Sequence, residues 1–132
     1  MPSTVSEKDV AAKKTKRVLY VDDMRELREV ARLALSRSGH LVDCSPDGTD
    51  AIERVKANPG GHDIVITDHH MAGMNGVELV MRLRELGFPG KIAVVSSELN
   101  SEVELEYRRL GIEKILYKPV ELRDLRALVL EA

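Results

Sequence analysis

Between residues 17 and 132, short apolar runs alternate with longer stretches of helical period, and that alternation leaves few folds open. Val18–Val21, Ile64–Thr67, Ile92–Val95 and Ile115–Tyr117 are short, rich in β-branched residues and almost wholly apolar, with Leu41–Ser45 a weaker fifth run. Such runs suit strands covered on both faces. Between them Leu27, Val30, Ala31, Ala34 and Leu35 recur at helical spacing before Gly39, and Ala51, Ile52 and Val55 do so before Asn58-Pro59-Gly60-Gly61. A loop from Met71 to Gly76 leads to a helix with Val77, Val80, Met81 and Leu83 inward. Residues 101–110 form a helix with sparse apolar positions at Val103, Leu105 and Leu110, and residues 121–131 a last helix bearing Leu122, Leu125, Leu128 and Val129.

Five strands and five helices in alternation predict an α/β, doubly wound, five-stranded parallel sheet, since right-handed crossovers place helices on both faces. The economical order is 2-1-3-4-5, which reverses between strands one and three. Polar residues follow each of the stronger runs: Asp22-Asp23, Asp68, Ser96 and Lys118. A parallel sheet carries all of them to one edge, the edge where such sheets bind ligands.

A chain of 132 residues holds one buried core. With 3% aromatic residues and no Trp, that core is aliphatic, and stacking surfaces for single-stranded nucleic acid are scarce. Residues 1–16, with Arg17, carry five basic side chains (Lys8, Lys13, Lys14, Lys16, Arg17) against Glu7 and Asp9, so a chain of net charge −2 leaves its body at −5. We read 1–16 as a mobile basic extension and 17–132 as the folded domain, too acidic to hold a phosphate backbone directly. Cys44 has no partner for a disulfide and reads as a small buried apolar residue. No apolar stretch nears the roughly 20 residues that span a bilayer, and no cleavable leader precedes the fold, so the cytoplasm is the expected compartment.

Carboxylates about 4 Å apart repel by roughly 4 kcal/mol per pair at an effective dielectric of 20, so three at one edge need compensation. An all-oxygen site without a His or Cys cluster favours Mg²⁺, and Lys118 adds a fixed positive charge. Such a site accepts a phosphoryl group, and a central carboxylate serves as the nucleophile. The competing structural reading is that an Asp-Asp pair after a strand simply caps a helix, Ser96 lies in a turn and Lys118-Pro119 opens a loop.

The motifs Val18-Leu19-Tyr20-Val21-Asp22-Asp23, Asp63-Ile64-Val65-Ile66-Thr67-Asp68, Gly73-Met74-Asn75-Gly76, Val94-Val95-Ser96-Ser97 and Tyr117-Lys118-Pro119 together resemble the receiver domain of response regulators in two-component signalling, of the stand-alone type similar to the chemotaxis receiver. The resemblance covers residues 17–132 and implies a flavodoxin-like fold. It implies that Asp68 accepts a phosphoryl group from a phosphohistidine of a sensor histidine kinase or histidine phosphotransfer protein. Asp23, Asp68 and the backbone carbonyl of His70 would hold Mg²⁺, with Asp22 acting through water. Ser96 would bond a phosphoryl oxygen, and Lys118, before a cis Pro119, would pair first with the carboxylate and then with the phosphoryl group.

Two positions depart from the family. Ile115 stands where an aromatic switch residue usually lies, with Tyr117 two residues on along the same strand face, and Ala72 replaces the usual Pro. His69-His70 looks like a metal pair, but adjacent side chains are expected to diverge, and His40 and His62 are isolated. The same resemblance implies that His70 and Glu98 border the water that would attack an acyl phosphate. An ion pair or hydrogen bond between them is expected to set the lifetime of the modified state, with a pH dependence from the imidazole.

The chain is expected to act without an output domain, by binding a target protein or passing its phosphoryl group on. It would not bind DNA, and the charged helix over 101–110, the fifth strand and the last helix would form the recognition or homodimer face. It is read as a phosphoacceptor with self-catalysed chemistry only, not an enzyme. The alternatives are an Asp-nucleophile Mg²⁺ phosphatase, which usually carries a second Asp where His70 stands, and a pseudo-receiver scaffold independent of phosphorylation.

Overall fold

The computed structural model describes residues 15–132. The expected extension lies outside the described residues as far as position 14. Lys16 belongs to the fold: its N–H donates to His40 Nδ1 at 3.0 Å and its Nζ to the Ala132 carbonyl at 2.8 Å.

The elements run β1 (Arg17–Val21), α1 (Arg25–Arg37), β2 (Leu41–Ser45), α2 (Gly48–Ala57), β3 (Ile64–Asp68), α3 (Gly76–Glu85), β4 (Lys91–Ser96), α4 (Ser101–Arg109), β5 (Lys114–Tyr117) and α5 (Leu122–Leu130). All pairings are parallel and the order is β2-β1-β3-β4-β5, as the alternation predicts.

Side chains of the central strands leave on alternate faces. Leu19, Val21, Val65 and Val94 pack against α2, α3 and α4 on one side. Val18, Tyr20, Ile64, Ile66, Ala93 and Val95 meet α1 and α5 on the other. Cys44 is buried and unpaired, its Sγ directed at the Arg28 carbonyl. The helix after the third strand is firmly started: the Asn75 side chain accepts from the Glu78 N–H while Glu78 reaches back to the Asn75 N–H.

Several inward assignments need correction. Val30 on α1 is half exposed, because it rims a groove between α1 and residues 118–122 instead of entering the core. On α3 Leu79 is buried together with Val77, Val80 and Leu83, whereas Met81 faces solvent. On α4 Leu105 is exposed and Tyr107 is the one buried residue. No helix among the described residues is long and apolar enough to cross a membrane. Truncating Leu79 to Ala should cost about 2–5 kcal/mol, whereas Met81→Ala should stay within about 0.5 kcal/mol. Urea denaturation of the two variants checks the assignment of faces.

Candidate functional site

β1 releases the chain at Asp22-Asp23, β3 ends on Asp68, β4 ends on Ser96, and Lys118 follows β5 directly. Because β3 lies between β1 and β4, with Val21 beside Thr67 and Asp68 beside Val95, these residues share one edge. The backbone draws Lys118 in as well: its N–H donates to the Ser96 carbonyl at 2.8 Å, and the Lys118–Pro119 peptide is cis.

The carboxylates of Asp22, Asp23 and Asp68 offer oxygens within 4.8 Å of one another. Asp22 and Asp68 are buried and Asp23 is open to solvent. Lys118 Nζ stands between the buried two, 3.3 Å from Asp22 Oδ2 and 3.4 Å from Asp68 Oδ2. One ammonium against three carboxylates leaves negative charge in excess. Burial, and then the neighbouring Asp68 charge, pushes the Asp22 carboxyl above its ordinary range, although the Met24 N–H and Lys118 pull the other way. Asp22 does not cap α1: its Oδ1 accepts the Met24 N–H at 2.9 Å, and Met24 at the helix start provides no side-chain cap.

Asp68 Oδ1 is buried and has no hydrogen-bond partner among the described residues. An orphaned carboxylate oxygen beside two further carboxylates is a donor set suited to a hard divalent cation. Ser96 is fully buried, and its Oγ donates to the Glu98 carbonyl at 3.1 Å.

The two histidines behave otherwise than expected. Their rings do not diverge but meet edge to face with centroids 4.8 Å apart, because the chain bends at His69. Neither belongs to the acidic cluster. His70 Nε2 meets the backbone carbonyl of Glu98 at 2.9 Å, so the expected contact exists without an ion pair. His69 Nδ1 lies 2.6 Å from the Tyr107 hydroxyl. Burial, and then the charge of His70, lowers the His69 pKa, and burial raises that of Tyr107. The sequence reading passed over Tyr107, yet Val103, Tyr107 and Leu110 share helical spacing. Tyr117 is exposed, with its hydroxyl 3.4 Å from Glu104 Oε2, while Ile115 packs against the core.

The fold and this edge define a receiver: a family model described as "Response regulator receiver domain" matches residues 18–130, and the chain belongs to that family. Among its relatives is the two-component response regulator PhoP of Pseudomonas aeruginosa, 30% identical over 111 residues, with 84% of this chain and 48% of that protein covered. The chain therefore spans about half the length of PhoP. Two-component response regulator 24 of Arabidopsis thaliana is also 30% identical over 111 residues, covering 84% of this chain and 79% of that one. A response regulator receiver protein from Pseudomonas putida superposes with a TM-score of 0.81 at 27% identity, covering 89% and 98% of the two chains. A CheY-like receiver domain protein from Methanospirillum hungatei shares the fold, with a TM-score of 0.83 at 22% identity over 89% and 92%.

A carboxyl whose pKa is higher folded than unfolded destabilises the protein once ionised. That cost builds as pH rises from the unfolded value through the folded one. Asp22→Asn is therefore expected to raise the urea midpoint at pH 7, with the gain vanishing below about pH 4. A lower midpoint at pH 7 would show that the Lys118 contact outweighs burial.

Proposed function

We propose that this receiver works by accepting a phosphoryl group on Asp68 from a phosphohistidine of a sensor histidine kinase or histidine phosphotransfer protein. The observation that carries the reading is the buried Asp68 carboxylate, with one oxygen on Lys118 and the other unpartnered, beside Asp22 and Asp23. An Asp68 oxygen attacks phosphorus, the P–N bond to the donor imidazole breaks, and that imidazole leaves with a proton. An acyl phosphate on Asp68 results.

Asp23 and Asp68 would hold Mg²⁺ directly with the His70 carbonyl, and Asp22 through water. When bound, the ion would offset charge on the phosphoryl oxygens as they approach the carboxylates. Lys118 neutralises the acceptor before transfer and pairs with a phosphoryl oxygen afterwards. Ser96, whose hydroxyl donates to the Glu98 carbonyl, would turn to donate to the phosphoryl group. Hydrolysis of the acyl phosphate resets the protein, so it turns over no separate substrate.

Output then passes through residues 97–100 and the face made by α4, β5 and α5, which binds a target protein or a second copy of the chain, unless the phosphoryl group moves on to another histidine. The acidic body does not contact DNA. A small-molecule phosphatase is the weaker reading, because His70 occupies the place of the second acid and turns its ring to the Glu98 carbonyl.

With Mg²⁺ and a small-molecule phosphodonor, the wild type should gain the mass of one phosphoryl group and Asp68→Asn none. Equal labelling of both, or no labelling of either, refutes the assignment. Sustained turnover of a phosphate ester would favour the phosphatase. His70→Ala should change the decay rate of the modified form, whereas Glu98→Ala, which keeps the carbonyl that His70 contacts, should leave it near wild type.

A further inference from the structure

α4 is lightly held. Its exposed face carries Glu102, Glu106, Arg108 and Arg109, with Glu104 half-buried, and Tyr107 is its one buried residue. The Tyr107 hydroxyl reaches His69, the residue directly after Asp68, with 2.6 Å between oxygen and Nδ1 and the rings edge to face at 5.5 Å. This hydrogen bond joins the Tyr107 hydroxyl to the imidazole nitrogen, with the donor set by the tautomer of His69. Gly76 makes the approach possible: a β-carbon there would collide with the Tyr107 hydroxyl and crowd the Asp68 carbonyl and the His69 backbone. On the other side, His70 Nε2 and Ser96 Oγ converge on one acceptor, the Glu98 carbonyl, at 2.9 and 3.1 Å. The segment after Asp68 is thus bonded at His69 to the middle of α4 and at His70 to the loop that leads into α4.

We propose that the Tyr107–His69 hydrogen bond is the link through which the state of Asp68 reaches α4, and that it favours the unmodified arrangement. Tyr107 is a positioning residue, acting on the acceptor segment through His69. The inference rests on Asp68 being the phosphoacceptor. When Ser96 leaves the Glu98 carbonyl for a phosphoryl oxygen, the loop that His70 grips is freed on one side. His69 shares the backbone of that segment, so its bond to Tyr107 must break or carry α4 with it. Ile115, at the position where the family usually has its aromatic switch, packs against the core cluster that contains Tyr107, so in this chain the ring and its hydroxyl come from α4.

Linkage gives the proposal a sign. Removing a bond that favours the unmodified state must tighten binding of any ligand that selects the modified one. Beryllofluoride with Mg²⁺ mimics a phosphoryl group on a carboxylate, and Tyr107→Phe keeps the ring while deleting the hydroxyl. The variant should bind beryllofluoride about threefold to tenfold tighter than wild type, the range that one neutral hydrogen bond supplies. In the wild type, which needs no variant to fold, the ¹⁵N resonance of His69 Nδ1 should move when beryllofluoride is added. Unchanged or weaker binding by Tyr107→Phe overturns the link, and so does a stationary His69 resonance. A wild type that binds no beryllofluoride brings down the acceptor reading and the link together, an outcome distinct from wild type and variant binding equally.

Discussion

β3 is enclosed on both faces and both edges, between β1 and β4 and between the α1/α5 and α2/α3/α4 layers. A strand so placed cannot slip by one residue without exchanging its whole apolar set between layers. This fixed register brings Asp68 to the edge at the same level as the ends of its neighbours. It also explains why an acidic cluster survives there: the sheet interior is aliphatic and well packed, and the electrostatic cost is confined to one rim. The geometry of Asp22, Lys118 and Ser96 follows from where β1, β5 and β4 stop relative to this one strand.

Lys118 is the counterweight at that rim. A single ammonium within 3.4 Å of two buried carboxylates stabilises both, but it leaves Asp68 Oδ1 unpartnered and Asp22 above its ordinary pKa. Close charges in a partly desolvated setting interact strongly, so this residual imbalance biases the site toward added positive charge. The resting state is thereby held short of full neutralisation, as the proposed binding of a cation and a phosphoryl group in turn requires.

The central strands were legible because burial on both faces leaves an unbroken apolar run, and the site was legible because its residues follow those runs immediately. Helix faces were harder to read. α3 carries apolar residues at 77, 79, 80, 81 and 83, and sequence spacing does not choose between Leu79 and Met81; packing against the sheet does. Val30 looked internal but borders a groove, since its neighbours across the gap come from residues 118–122, distant in sequence. Tyr107 lies between Glu106 and Arg108, so local composition pointed to solvent, and only the spacing with Val103 and Leu110 marked it as internal. The meeting of His69 and His70 depends on a bend just past β3 that no residue in the segment announces.

The two outermost strands have a further effect. β5 has four residues, carries Lys114 at one end, and is followed by Lys118 and Pro119; β2, at the other side of the sheet, places Asp43 among its few residues. Short edges bearing charge, with a proline that offers no amide hydrogen, are poor templates for a foreign strand. The molecule is therefore protected from open-ended sheet growth by strand pairing at either edge.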